Sequence, residues 1–463
     1  MKTLALALRN LLRNRRRSLT TLLAMGIGLV AILVFGGYKS NVIYGIETGV
    51  TQHSGHLQIQ RKGYFSEGGD NPTSYGIANY QRLIDTIRQD PVLAPMLAVV
   101  TPSLSLGGLA GNFAAGVSRS VMAQGVVVDE HNRMLEWNDY KLKSYSHPLP
   151  LIGSGTDGVV IGTGVARKLK LCDALNVPHC FQSASVPATD GAAAPDDIAD
   201  LSALEKGNTP PQQDQTRIEM LASTAHGAPN VASLQVVAAE NLGIKAIDDV
   251  YLAMHLAQAQ KLIYGSQEPK VTAIRIQLQH ASQIPAAKKR LTQLFEDDFM
   301  VQSLELLDFR TLNPLYGQTA PFMGSMFGFI ATLIAVIVLF MIGNTMSTAV
   351  VERTVEIGTL RAIGLRRSGI RNLFLCEGVL LGLIGSVFGV LCALGIASLI
   401  NNSGLSFTPP GYSYAYLILV RIWEDTNLLV GSVVGLIAVT VLSAWWPARR
   451  ASNLMIVDAL RHV

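Results

Sequence analysis

Charge is what this sequence has least of. Only 15% of its 463 residues are Asp, Glu, Lys or Arg, where a soluble domain carries roughly a quarter. A soluble globule is therefore excluded if the apolar residues are gathered in blocks. The net charge of +4 is too small to argue for nucleic acid as a partner. Four cysteines without a CxxC pair leave no zinc-ribbon or thioredoxin signature. There is no GxxxxGK(S/T) phosphate loop, so the chain is not expected to hydrolyse nucleotide alone. No serine is flanked by glycines two residues to either side, and no GxGxxG follows a strand-like run. His53 and His56 are three apart, but no HExxH or acidic cluster accompanies them. Solvated or strand-edge histidines are the expectation there, and no metal site. Nothing supports an enzyme.

The apolar residues are indeed in blocks. Leu19–Tyr38 and Pro321–Val351 carry no charge, Leu373–Ile400 carries only Glu377, and Asn427–Trp446 is a fourth run. Each is long enough for a hydrocarbon core of about 30 Å. The first is read as an uncleaved helix rather than a signal peptide, because its apolar core is long and no small-residue cleavage site follows. Arginines gather before the first run (Arg9, Arg13, Arg15, Arg16, Arg17), between the second and third (Arg353, Arg361, Arg366, Arg367, Arg371) and after the fourth (Arg449, Arg450, Arg461). Short basic segments stay cytoplasmic. All three placements agree with four crossings and both termini inside. The expected layout is a cytoplasmic segment at 1–18, helices at 19–38, 321–351, 373–400 and 427–446, a cytoplasmic loop at 352–372, an outward loop at 401–426 and a cytoplasmic tail at 447–463. Residues 39–320 then form one large outward domain.

That domain reads as α+β. Strand-like alternation appears in HLQIQ (His56–Gln60), VMAQGVVV (Val121–Val128), DGVVI (Asp157–Ile161), VASLQVV (Val231–Val237) and VTAIRIQL (Val271–Leu278). Helical spacing appears in Asn79–Gln89, Leu256–Tyr264 and Ile284–Asp297. Residues 182–215, rich in Ala, Pro, Asp, Ser and Gln without Trp or Tyr, read as a mobile insertion. Cys172 and Cys180 flank a short loop on the oxidising side of this topology. A disulfide is expected there, two buried or free thiols being the alternative.

Within the helices, glycines recur four apart: Gly378 and Gly382, Gly385 and Gly389, Gly431 and Gly435. The spacing lets helix backbones approach closely, within or between subunits, or reflects the general tolerance of membrane helices for glycine. Glu377 is expected just inside the cytoplasmic boundary, where a charge costs little. Between the second and third runs lies VERTVEIGTLRAIGLRRSGIRN (Val351–Asn372). Ile357, Leu360 and Ile363 form one apolar stripe at i, i+3 and i+6, and Gly364 is placed to end the helix in a left-handed cap. Such a helix lies on the lipid surface or docks in a groove of a soluble partner. Glu352 and Glu356 argue for docking, since interfacial anchors carry mainly basic charge.

EIGTLRAIG (Glu356–Gly364) followed by FLCEGVLLGLIGSVFG (Phe374–Gly389) resembles the FtsX-type permease domain of ABC transporters. PARRASNLMIVDALR (Pro447–Arg461) resembles the tail of the same domain, and LALRNLLRNRRRSLTTLLAMGIG (Leu6–Gly28) its N-terminal segment and first helix. GVVIGTGVARKLKL (Gly158–Leu171) and Gly243–Gly265 resemble the MacB-like periplasmic core. The resemblance implies a bacterial inner-membrane permease of the FtsX, MacB and LolC/LolE group, with four transmembrane helices and a large α+β periplasmic domain between helices 1 and 2. It implies a dimer with a second copy or a paralogue. The coupling helix would be formed by Glu352, Arg353, Glu356, Ile357, Gly358, Leu360, Arg361, Ala362, Ile363 and Gly364. A separate ABC ATPase dimer would bind ATP and Mg, no cofactor being expected on this chain. Membrane lipid and a periplasmic or outer-membrane partner complete the expectation. The leading function is extraction or release of lipoproteins. MacB-like efflux of small molecules or peptides, and FtsX-like activation of a periplasmic hydrolase, are the alternatives. The chain departs from the group in its 182–215 insertion and in MIVDALR, where the tail usually has a proline.

Overall fold

The computed structural model describes residues 9, 15–69, 71–142, 147–177, 215–296, 302–413 and 415–455. Most of the predicted N-terminal segment, the predicted insertion apart from Gln215, Cys180 and the end of the tail lie outside the described residues. The chain divides into two compact units: Met1–Gly45 with Leu315–Phe407 and Tyr416–Val463, and Ile46–Pro314 with Thr408–Ala415.

Helix α1 (Arg15–Ser54) does not stop where its apolar run stops at Tyr38, and its last turns belong to the second unit. Strand β1 (Leu57–Arg61) follows, with Leu57 and Ile59 fully buried. Helix α2 (Tyr80–Gln89) buries Tyr80, Leu83, Ile84 and Ile87, an i, i+3, i+4, i+7 stripe, in the same core. Next come β2 (Leu97–Asn112), β3 (Val117–Val126), α3 (Val128–Leu135), β4 (Gly158–Gly162), β5 (Arg217–Ser223), β6 (Pro229–Glu240), β7 (Tyr251–His255), α4 (Leu256–Tyr264), β8 (Ala273–Leu278), α5 (Ile284–Leu294) and β9 (Leu304–Asp308).

The strands run in the order β3-β7-β4-β6-β5-β2-β8-β1-β9, and β3 also pairs with β2. The first six therefore close into a barrel, which leaves them no free edge, and β8, β1 and β9 extend from β2. Strand β2 serves both parts: its start, from Leu97 to Ser103, pairs with β8, and Ser103 to Asn112 pair with β3. At Gly108 a Cβ would come within 2.6 Å of Met220 and 2.8 Å of the Leu221 carbonyl oxygen, so only glycine lets β5 approach there. Local pattern does not reveal β2, because Pro102, Gly107, Gly108 and Gly111 punctuate it like a loop. Its strand character comes from neighbours distant in sequence.

The other unit holds helices α6 (Pro314–Glu352), α7 (Thr354–Ala362), α8 (Arg367–Asn402) and α9 (Thr426–Asn453), with the hairpin β10 (Ser406–Phe407) and β11 (Tyr416–Leu417) between the last two. Among the described residues α1, α6, α8 and α9 are long and apolar enough to cross a bilayer. Helix α8 carries the glycine stripe. A Cβ on Gly378 would meet the Ala444 Cβ of α9 at 3.0 Å, and one on Gly382 would meet Thr440 Oγ1 at 2.5 Å. Cβ atoms on Gly385 and Gly389 would meet Met25 at 3.0 Å and Leu29 at 2.9 Å on α1. These two pairs pack helices within one chain. Gly431 and Gly435 meet nothing within 4 Å. Asp425 caps α9 by accepting the Leu428 amide at 3.1 Å and accepts the Ser40 hydroxyl at 2.6 Å, tying α9 to α1.

Candidate functional site

The segment between α6 and α8 is where motif and geometry converge. Helix α6 breaks at Arg353, whose backbone is non-helical (φ −105°, ψ 17°). Its guanidinium turns inward and donates to Glu377 Oε1 on α8 at 2.9 Å, the two side chains being 12% and 3% exposed. Thr354 steadies the break, its hydroxyl donating to the Val350 and Val351 carbonyls at 3.1 and 2.8 Å.

Helix α7 lies against the bundle by one side only. Ile357 and Gly358 are buried, Ile357 in a cluster with Val350, Ile370, Phe374, Ala448 and Ala451, against which Leu360 also packs. Arg361 donates to the carbonyl oxygen of Leu454, just past the end of α9. The helix ends at Gly364 (φ +105°) in a Schellman motif: the Gly364 amide donates to Arg361 O at 3.1 Å and the Leu365 amide to Leu360 O at 3.0 Å. Leu365 and Ile363 leave the turn facing outward, 41% and 80% exposed, beside Val355 at 43%. Glu352, Thr359, Ala362, Arg366 and Arg367 are exposed around them, and Glu356 is half-buried.

The predicted apolar stripe is thus divided. Ile357 and Leu360 hold the helix to its own bundle, and Ile363 faces away. Glu377, expected just inside the cytoplasmic boundary where a charge costs little, has its side chain packed into the bundle. It is buried, and Arg353 makes that tenable, since a buried charge persists when paired. Sequence reasoning missed this pair and the Arg361 contact, because the partners are 24 and 93 residues apart. The one available signal was an acid early in an otherwise uncharged run.

Elsewhere, Cys172 is buried and disulfide-bonded, and Cys376 and Cys392 are free. Its expected partner Cys180 lies outside the described residues. His53 is exposed as expected, but His56 is not solvated. It is fully buried, its ring 4.8 Å from Trp137, with Nδ1 accepting the Leu278 amide at 3.0 Å. Among the described residues no three His, Cys, Asp or Glu could hold a metal ion.

The exposed tip of α7 is thus apolar, with Glu352 before it and Arg366 and Arg367 after it. Residues 328–456, which contain it, match the FtsX-like permease C-terminal family. The chain is 35% identical over 143 residues to the ABC transporter permease YtrF of Bacillus subtilis, covering 29% of this chain and 30% of that protein. It is 28% identical over 213 residues to the macrolide export ATP-binding/permease protein MacB of Bordetella avium, covering 46% of this chain and 30% of that protein. It is 23% identical over 375 residues to the lipoprotein-releasing system transmembrane protein LolC of Neisseria meningitidis, covering 79% and 78%. The chain therefore spans under a third of the first two relatives and most of the third.

Proposed function

Since the chain is a permease of the FtsX/MacB/LolC family, we propose that α7 is the surface through which a separate ABC ATPase dimer, binding ATP and Mg, drives its helices. The observation that carries this reading is the division of α7 into an anchored and a free side. A lever must be fixed to what it moves and open to what moves it. Arg353, Ile357, Leu360 and Arg361 supply the fixing, on α8 and on the end of α9. Ile363, Val355 and Leu365, with Arg366 and Arg367, supply the open side. In this reading both termini and α7 are cytoplasmic, as the basic flanks favour, and the sheet unit works on the periplasmic side of the inner membrane. The working unit is a dimer with a second copy or a paralogue.

For cargo we favour lipoprotein extraction or release. The alignment to LolC covers 79% of this chain, more than its membrane helices alone supply. Efflux of small molecules or peptides is the second reading, favoured by the MacB alignment. The test is co-purification of the tagged chain from native membranes, with mass spectrometry of what stays bound. An ABC ATPase is expected with the wild type and not with Ile363→Asp, a change at an 80% exposed site that is expected to leave insertion and melting as in wild type. An Ile363→Asp protein that retains its ATPase and its ATP-driven transport overturns the assignment. A lipoprotein chaperone, or an adaptor with an outer-membrane channel, among the retained proteins separates the two cargo readings.

A further inference from the structure

Strands β1, β8 and β2 turn one face to the apolar core. The other carries Gln58, Gln60, Thr101, Ser103, Arg275 and Gln277, none more than 7% exposed. Register sets Arg275 directly between Gln58 on β1 and Thr101 on β2. The end of α1 and helix α3 close over this polar layer. Gln277 Nε2 donates to the Thr51 and Met134 carbonyls at 3.2 and 3.0 Å. Gln52 Nε2 donates to the Leu135 and Trp137 carbonyls at 2.8 and 2.9 Å. All of these residues belong to the sheet unit.

The layer is not saturated. Thr51 Oγ1, Gln60 Oε1, Thr101 Oγ1, His131 Nδ1, Arg275 Nε and Gln277 Oε1 are buried without a hydrogen-bond partner. Folded proteins satisfy nearly all such atoms, with ordered water where the protein supplies nothing. Water does not neutralise a charge, however, and Arg275 is 4% exposed with no ion pair to any described carboxylate. Arginine does not shed its proton in proteins. Burial pulls Arg275 down only to about 10, so it stays charged at neutral pH. Its titratable neighbours do not compensate. Burial, then the Arg275 charge, push His131 down to about 3, and burial pushes Tyr251 up, so both are neutral. A buried, unpaired cation is the arrangement proteins avoid most.

We propose that a small inorganic anion of the chloride class sits with ordered water against the Arg275 guanidinium in this layer. The Arg275 Nε–H and the Thr101 hydroxyl are free to donate to it, and water donates to the Gln60 and Gln277 oxygens. The burial of Gln58, Gln60, Thr101, Ser103 and Gln277 around the guanidinium leaves little room for an organic tail, which favours a small ion. Because Gln277 also grips the end of α1, the anion helps fix that helix to the sheet.

The test uses the full-length protein in detergent, its melting followed as chloride replaces gluconate at constant ionic strength. The wild type is expected to melt several degrees higher in chloride, with a saturable dependence. Arg275→Met is expected to show no chloride response and, with the unpaired charge gone, to melt above the wild type in gluconate. A wild type indifferent to the exchange, or a response unchanged in Arg275→Met, overturns the proposal. If Arg275→Met does not fold, crystals of the wild type grown in bromide decide. An anomalous peak at the guanidinium is expected, and water alone there overturns the proposal.

Discussion

Arg353 and Glu377 form the most consequential pair of single residues in the helical unit. The contact is short, at 2.9 Å, and almost sealed from solvent. Removing one partner deprives a buried charge of this ion pair, a loss that costs about 3–5 kcal/mol. Glu377→Leu and Arg353→Met are each expected to lower the unfolding temperature in detergent sharply, and the double variant to recover most of the loss. A double variant as unstable as the singles would show that each residue acts alone. In the sheet unit, burial pushes the His56 imidazole down to about 4, and burial with Arg275 pushes His131 down to about 3. Both values lie below the roughly 6.5 of an unfolded histidine. Between these values the unfolded chain binds protons that the folded one refuses. The stability these imidazoles contribute is full above about pH 6.5 and is lost as pH falls through the folded values, near 4 for His56. Melting temperatures measured between pH 7.5 and about 4.5 are expected to fall with pH, and His131→Leu to flatten part of that fall.

At the scale of elements, the spacing of glycines was legible in the sequence but their partners were not. Four glycines on one side of α8 serve two different neighbours, α9 at Gly378 and Gly382 and α1 at Gly385 and Gly389. Gly382→Val is expected to push α8 off Thr440 and to cost detergent stability clearly. Gly435→Ala, where nothing lies within 4 Å, is expected to leave the isolated chain unchanged. Equal melting temperatures for the two variants would remove close packing as the reason for Gly382. The cap at Gly364 was legible, since glycine in that place supplies the positive φ that ends a helix. The direction of Ile363 was not. At about 100° per residue, i+6 lies roughly 120° round the helix from i, so Ile363 does not share the face of Ile357.

At the scale of the whole molecule, the proposed coupling surface is a small part of a chain otherwise given to two cores. One cluster runs through the sheet unit around Leu57, Ile59, Ile274 and Ile276, and another through the bundle around Met25, Leu29, Phe374 and Ala444. The outward side of α7 belongs to neither cluster, so Ile363→Asp is expected to abolish ATPase capture while both units keep their wild-type melting. Leu360→Asp is a poorer probe, because Leu360 packs on the bundle and its loss would confuse docking with stability. By itself the sequence determined the four apolar helices, the basic segments that flank them, helices α2, α4 and α5 of the sheet unit and the glycine that ends α7. Each of these is set by residues near one another in the chain, where hydrophobic run length, charge and backbone freedom act locally. Tertiary structure alone decided the barrel closure through β2, the burial of Glu377 beside Arg353, the division of the α7 stripe and the isolation of Arg275. Those depend on which distant segments meet, and the free energy of pairing or burying a group belongs to the contact rather than to either residue.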